Sequence, residues 1–342
     1  MTMPVTPSAK PRMHRGPSRT RRAAATIAMV AALLLAVTPW AGGWTWMGAA
    51  AADRIAPAWP LAPVLGLAAL VLARGRGIAT AGALAALGLC VATILAQPAP
   101  AVAPQAGLRL RVVTHNVWTR NVDPAGTAAV LTRSGADILL LQETEGRFAP
   151  MLPVLARTFP HASRCRRRCT MMVLSRHPIE RVRRGSPDRI WTRIDPGMMT
   201  DVRIRLPGGV GTIPVITVHL ARGQPPEADG RQRDGLARAV ARADTEALIL
   251  AGDFNLVPWS ARIRSLDRQL APLARATAVF SWPARVRGRP VPLPLAPIDH
   301  IYAGSGWALA AVHRLERTGS DHYPVAVDLI WQGRHAMITG TP

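Results

Sequence analysis

Two patterns of apolar positions divide the chain near residue 100. Before it, apolar residues run almost without interruption over 23–37, continuing toward 45, and again over 59–73 and 78–96. A helix that crosses a bilayer needs about 20 mostly apolar residues. The first and third runs meet that length; the second is short and begins among Pro60 and Pro63. The pattern predicts about three spans, at 23–45, 59–73 and 78–96, forming a membrane anchor over 23–96. A helical hairpin buried in a soluble protein is the alternative. The stretch 97–107 (QPAPAVAPQAG) reads as a stiff, Pro-rich linker.

From residue 108 onward the periods are those of a globular domain. RLRVVT at 109–114 alternates polar and apolar residues as a strand does, and DILLL at 137–141 reads as a buried strand. A helix is predicted between them, over 123–134. Residues 169–175 form another strand, ahead of a turn at His177 and Pro178. Residues 201–206 and 213–219 look like hairpin partners around Pro207, Gly208 and Gly209. A helix over 226–243, with Leu236 and Val240 on one face, leads to the buried strand ALILA at 247–251. Strands at 297–302 and 325–330 complete the set. Many strands with few helices predict an α+β domain built around packed sheets, over 108–332, with a tail at 333–342.

Charge adds a direction to the anchor. The chain has 42 Lys and Arg against 20 Asp and Glu, a formal net charge of +22. Lys10 is the sole lysine, and a GC-rich coding sequence gives such an arginine bias with no functional cause. A basic domain also attracts anions, whether nucleic acid, lipid phosphate or a membrane surface, and charge does not choose among them. Residues 1–22 carry Lys10, Arg12, Arg15, Arg19, Arg21 and Arg22 and no acid. This tail and the loop holding Arg74 and Arg76 are predicted to be cytoplasmic. The protein is then a multi-pass cell-membrane protein with its C-terminal domain outside the cytoplasm. The small residues at 48–52 resemble a signal-peptide cleavage site, and cleavage there would leave the domain on the same side. Cys90 lies in the third run. Cys165 and Cys169 flank three arginines and would close a small loop in an oxidising compartment; two free thiols are the equal alternative.

Chemistry-bearing residues collect where the predicted strands end. His115 and Asn116 follow the first strand, Gln142 and Glu143 follow DILLL, and His219 ends the strand over 213–219. Asp253 and Asn255 follow ALILA, Asp299 and His300 lie within the next apolar stretch, and Ser320, Asp321 and His322 precede the last strand. Strand ends on a rigid scaffold are where catalytic groups are displayed. Each residue alone is more often structural.

Together, GDFN, IDHI and GSDHYPV, in this order, closely resemble the signature of the endonuclease/exonuclease/phosphatase superfamily, whose earlier motifs THNVW and LLLQE match. The resemblance covers residues 110–329. It implies a four-layer α/β/β/α sandwich of the deoxyribonuclease I type and hydrolysis of a phosphate ester with Mg²⁺ or Mn²⁺. Glu143, with Asn116 and Asp321, would hold the metal, since Mg²⁺ takes hard oxygen ligands and few carboxylates. His322 would be the general base or acid and Asp299 would orient it. Asp253 would orient water, bind metal or protonate the leaving group. Asn255 would donate to phosphoryl oxygens, and His219 would contact phosphate or leaving group. His115 and His300 are expected to be structural, and Trp259 to pack on the helix after it. The tyrosine that abasic-site endonucleases place between their Glu and Asp-x-Asn motifs is missing, because Tyr302 and Tyr323 both lie downstream. The expected function is a membrane-anchored phosphoesterase acting on an envelope lipid-linked phosphate or pyrophosphate. An extracytoplasmic nuclease and a non-catalytic phosphate-binding module are the alternatives. The expected partners are a phosphate-containing substrate and the lipid bilayer, with no protein partner inferred.

Overall fold

The structure is a computed structural model that describes residues 19–40, 55–74, 77–97, 106–163, 170–184, 198–222 and 226–333, with backbone alone at 226–229. Cys165, Cys169, their neighbouring arginines, Arg76 and most of the 97–107 linker lie outside the described residues. The chain forms two compact units, residues 1–37 with 60–92, and residues 38–59 with 93–342.

The first unit holds three apolar helices: α1 (Arg19–Val37), α2 (Leu61–Ala73) and α3 (Ile78–Leu95). They meet through small residues, since a Cβ on Gly82 would fall 2.2 Å from the sulfur of Met29. The Arg21 guanidinium donates to the carbonyls of Val71 and Leu72, satisfying open acceptors at the end of α2. Of the three predicted spans, two have the length for a crossing. α1 and α3 are long and apolar enough to cross a membrane, whereas α2 has 13 residues. At 1.5 Å per residue α2 covers about 20 Å of a roughly 30 Å hydrocarbon layer. Pro60 and Pro63, which mark its late start, account for the shortfall.

The second unit is a two-sheet sandwich. One six-stranded sheet runs β13-β14-β1-β2-β4-β3 and the other β5-β6-β7-β8-β12-β9. The first contains β1 (Arg109–Asn116), β2 (Ile138–Gln142), β3 (His161–Ala162), β4 (Met171–Ser175), β13 (Trp307–Arg314) and β14 (Val325–Trp331). The second contains β5 (Ile179–Arg184), β6 (Met199–Leu206), β7 (Gly211–His219), β8 (Ile249–Asp253), β9 (Ala274–Arg275) and β12 (Asp299–Ala303). A two-stranded ribbon, β10 (Arg285–Val286) with β11 (Arg289–Pro290), stands apart. Each sheet has one parallel pair, β1 with β2 and β7 with β8; all other pairings are antiparallel.

Strand parity explains the layers. Leu110, Val112, Ile138 and Leu140 face Val215, Ile249, Ala251 and Ile301 between the sheets. The alternate residues face outward. Val113, Leu139 and Leu141 pack with α4 (Pro124–Arg133) through Ala128 and Leu131. Ile216, Leu248, Leu250 and Tyr302 pack with α5 (Pro226–Ala241) and α6 (Ala261–Gln269) through Leu236, Val240, Ile263 and Leu266. The layers are therefore helix, sheet, sheet, helix. Asp123 and Ser260 cap α4 and α6 by accepting from the amides of Gly126 and Ile263. Trp259 does more than lean on the helix after it. Its indole N–H donates to the Ala56 carbonyl at 2.8 Å, and its ring centre lies 5.0 Å from that of Trp59.

Candidate active site

The site is the polar continuation of the inter-sheet core. Inward positions recur every second residue along a strand. Stepping by two from Val112 reaches Thr114 and Asn116, and from Leu140 reaches Gln142. On the second sheet Val215 leads to Thr217 and His219, Ala251 leads to Asp253, and Ile301 leads back to Asp299. Both parallel pairs end at this edge, since Asn116 is level with Gln142 and His219 with Asp253; Asp299 pairs with Asp253 across the antiparallel ladder. Gln142 ties the layers together, donating to the hydroxyls of Thr114 on one sheet and Thr217 on the other. Glu143, one residue on, has a left-handed backbone (φ 53°), as do Trp118 and Asn255. Such conformations cost about 1–3 kcal/mol each and gather at functional sites.

All eight residues named from the sequence fall in this one cluster. His322 Nδ1 lies 2.9 Å from Asp299 Oδ2, both side chains almost wholly buried. His322 Nε2 lies 3.6 Å from Asp253 Oδ2. His219 Nε2 is 3.6 Å from the same Asp253 oxygen and 3.9 Å from Glu143 Oε1. Asn116 sits between the carboxylates as a donor, giving its amide to Glu143 Oε1 at 3.0 Å and to Asp253 Oδ2 at 3.1 Å, while its oxygen accepts from the Trp118 amide. Asp253 Oδ1 accepts from the Asn255 amide, and the Asn255 side chain donates to the Leu220 carbonyl. Ser320, a residue to which the sequence assigned no role, donates to the Asn116 carbonyl and accepts from the His322 amide, pinning the SDH turn to the end of β1. Its place inside GSDHYPV was the only signal.

Burial alone would lower the pKa of His322, but Asp299, Asp253 and Asp321 outweigh it and push the imidazole up to about 10. The Asp321 carboxyl is raised, mainly by burial and further by Glu143, while His322 pulls the other way. Neighbouring carboxylates of this kind are a cation's complement, and Asp321 Oδ1 is buried without a hydrogen-bond partner. The residues fit a divalent metal, with Glu143 and Asp321 offering oxygens and Asn116 orienting Glu143. Asp253, Asp299 and His322 also lie within 4.8 Å of one another. Glu143 and Asp321 would offer such an ion oxygen ligands that are not already engaged by a histidine, as Asp299 is by His322.

The flanking histidines have other duties. His115, on the outward parity of β1, contacts Thr318 Oγ1 at 3.1 Å and is fully buried, which holds its pKa well below the usual value, with His322 adding to the effect. His300 donates to the Leu256 carbonyl at 2.7 Å; burial lowers it to about 3, with Arg275 adding to the effect.

Residues 113–322, more than half the chain, match the family model described as "Endonuclease/Exonuclease/phosphatase family". The chain belongs to the endonuclease/exonuclease/phosphatase family. Among solved structures, an endonuclease/exonuclease/phosphatase from Beutenbergia cavernae is similar, at 21% identity and a TM-score of 0.51, over 66% of this chain and 72% of that one. TDP2 from D. rerio, solved with a single-strand DNA product, is similar at 14% identity and a TM-score of 0.52, over 65% of this chain and 98% of that one. At these identities both likenesses concern the fold. No curated protein matches at a significant level. Members of this family hydrolyse phosphate esters, often with a divalent metal, and the two-sheet sandwich found here is their fold.

Proposed function

We propose that this endonuclease/exonuclease/phosphatase protein is a membrane-anchored, Mg²⁺- or Mn²⁺-dependent phosphoesterase. Its substrate class is a phosphate ester or pyrophosphate carried by an envelope lipid. The observation that carries the chemistry is the His322–Asp299 contact at 2.9 Å with Asp253 beside it. Displacement at phosphorus needs attacking and leaving oxygens roughly in line. Asp253 Oδ2 and His322 Nε2, 3.6 Å apart, stand on one side of that line and act together on the attacking water. Asp253 orients the water and His322 Nε2 accepts its proton. Asp299 holds Nδ1–H and balances the charge that forms. His219, and Asn255 through the N–H left over from its bond to the Leu220 carbonyl, would donate to the phosphoryl oxygens and offset developing charge. A divalent ion held by Glu143 and Asp321 supplies neutralisation of phosphoryl charge when bound.

The lipid part of the reading rests on the first unit. Ile27, Leu34, Val64, Val71 and Ile78 are large, apolar and exposed on its helices, the pattern a bilayer would cover. The turn holding Ala56 and Trp59 belongs to the same compact unit as the sandwich, through Trp259. This supports a topology with the loop after α1 and the sandwich on one side of the membrane, and the arginines of the N-terminal tail favour the side outside the cytoplasm. An extracytoplasmic nuclease is the second reading, favoured by the basic charge and by the GDFN and SDH motifs taken alone.

The test is a substrate panel on the full-length protein in detergent, with lipid-linked phosphates, pyrophosphates and DNA, with Mg²⁺ or EDTA. Turnover of the lipid-linked compounds should require the metal, and Glu143→Gln should reduce it by at least a hundredfold with the fold intact. Full activity in excess EDTA would sink the metal role. Turnover of DNA alone would assign the protein to the nuclease reading.

A further inference from the structure

Beside the site stands a cation that the mechanism above does not use. Arg222 follows His219 by three residues, and the Asn255 side chain fixes the intervening chain by its bond to the Leu220 carbonyl. The Arg222 guanidinium lies over the Trp282 ring, 4.7 Å from its centre. Trp282 in turn lies close enough to the Asp321 carboxyl to favour its charged form, and the chain beside it is anchored where the Ala284 amide donates to the Asp321 carbonyl. The guanidinium is thus stacked on an indole that adjoins Asp321, a carboxylate of the site. Other arginines of this region have their donors engaged: Arg285 donates to the carbonyls of Thr318 and Gly288, Arg314 to that of Phe280 and Arg317 to that of Val291. Arg222 is exposed and makes no ion pair among the described residues.

A guanidinium stacked on an aromatic face keeps its in-plane N–H donors free, and their fork matches two oxygens of a phosphate. We propose that Arg222, held by Trp282, forms a subsite for a second phosphate adjoining the one hydrolysed. This rests on the phosphoesterase reading and narrows it, because a substrate with two neighbouring phosphates would gain affinity that a simple monoester cannot. The shared chemistry, two linked phosphates, occurs in a lipid pyrophosphate and in consecutive phosphodiesters of a nucleic-acid strand.

The decisive experiment is calorimetric titration of the full-length protein in detergent and Mg²⁺ with inorganic phosphate and inorganic pyrophosphate. Wild type should bind pyrophosphate at least tenfold more tightly than phosphate, the scale of a charge-assisted contact. Arg222→Ala should bring that ratio close to one. Arg222→Lys should recover only part of it, since lysine keeps the charge and loses the stacked fork. No preference in wild type, or the wild-type ratio retained in Arg222→Ala, overturns the subsite. Steady-state kinetics separate the sources. A rise in KM of about tenfold in Arg222→Ala for an alkyl pyrophosphate points to a diphosphate, the same rise confined to a single-stranded oligonucleotide points to a strand, and no rise for either overturns the proposal. Arg222-dependent binding without turnover of any substrate would instead defeat the phosphoesterase reading and leave the subsite standing.

Discussion

At the scale of single residues, His322 carries the sharpest expectations. Its bond to Asp299 makes the two a unit, and residues acting as a unit lose their joint effect once. His322→Ala and Asp299→Ala should each slow turnover by about 10²–10⁴-fold, and the double variant should be little slower than His322→Ala alone. Losses that multiply would separate the pair. The raised pKa sets a sign as well. A base held near pKa 10 is mostly protonated at neutral pH, so its accepting fraction grows as pH rises. The pH profile of kcat/KM should therefore climb from pH 6 to 8. A decline across that range would mean the imidazolium is the working form. The identities of these residues were readable from their motifs. The orientation of Asn116 was not, because its donors go to Glu143 and to Asp253, 137 positions away.

At the scale of elements, the interior strands were legible and the edges were not. β1, β2, β7, β8 and β14 sit inside their sheets, so burial imposes long apolar runs or strict alternation on them. β5 and β13 went unread. Each lies at a sheet edge, where one side of the strand lacks a partner and arginine or alanine is tolerated, as in IERVRR and WALAAVHR. The GDFN turn shows a tighter constraint. A Cβ on Gly252 would fall 1.9 Å from the Val218 carbonyl oxygen, backbone that cannot swing aside. Gly252→Ala should push β7 from β8, lower the thermal midpoint by several degrees and displace Asp253 from His219. Unchanged melting together with full activity would show that the two strands separate without cost.

At the scale of the whole molecule, the proposed membrane anchor carries a prediction about the side on which the sandwich lies. The arginines of the N-terminal tail and of the 74–76 loop predict the cytoplasm for both, with the sandwich opposite. Alkaline phosphatase fused after Gly107 should be active in cells, and a fusion within the 74–76 loop should be inactive. The reverse pattern would show that the 13-residue α2 does not cross.

The sequence by itself determined the two-part character of the chain, the strands that burial makes periodic, and the chemical groups at their ends. These are local properties, written in residue type and spacing. The four-layer arrangement was legible through the family resemblance of GDFN, IDHI and GSDHYPV, which also implies the metal proposed above. Only the tertiary structure decided which of those groups meet. Asp299 and His322 are 23 residues apart, Ser320 and Asn116 are 204 apart, and Trp259 and Ala56 are 203 apart. Such partners are chosen by sheet order and register, which arise from packing two inward faces together and leave no periodic trace along the chain.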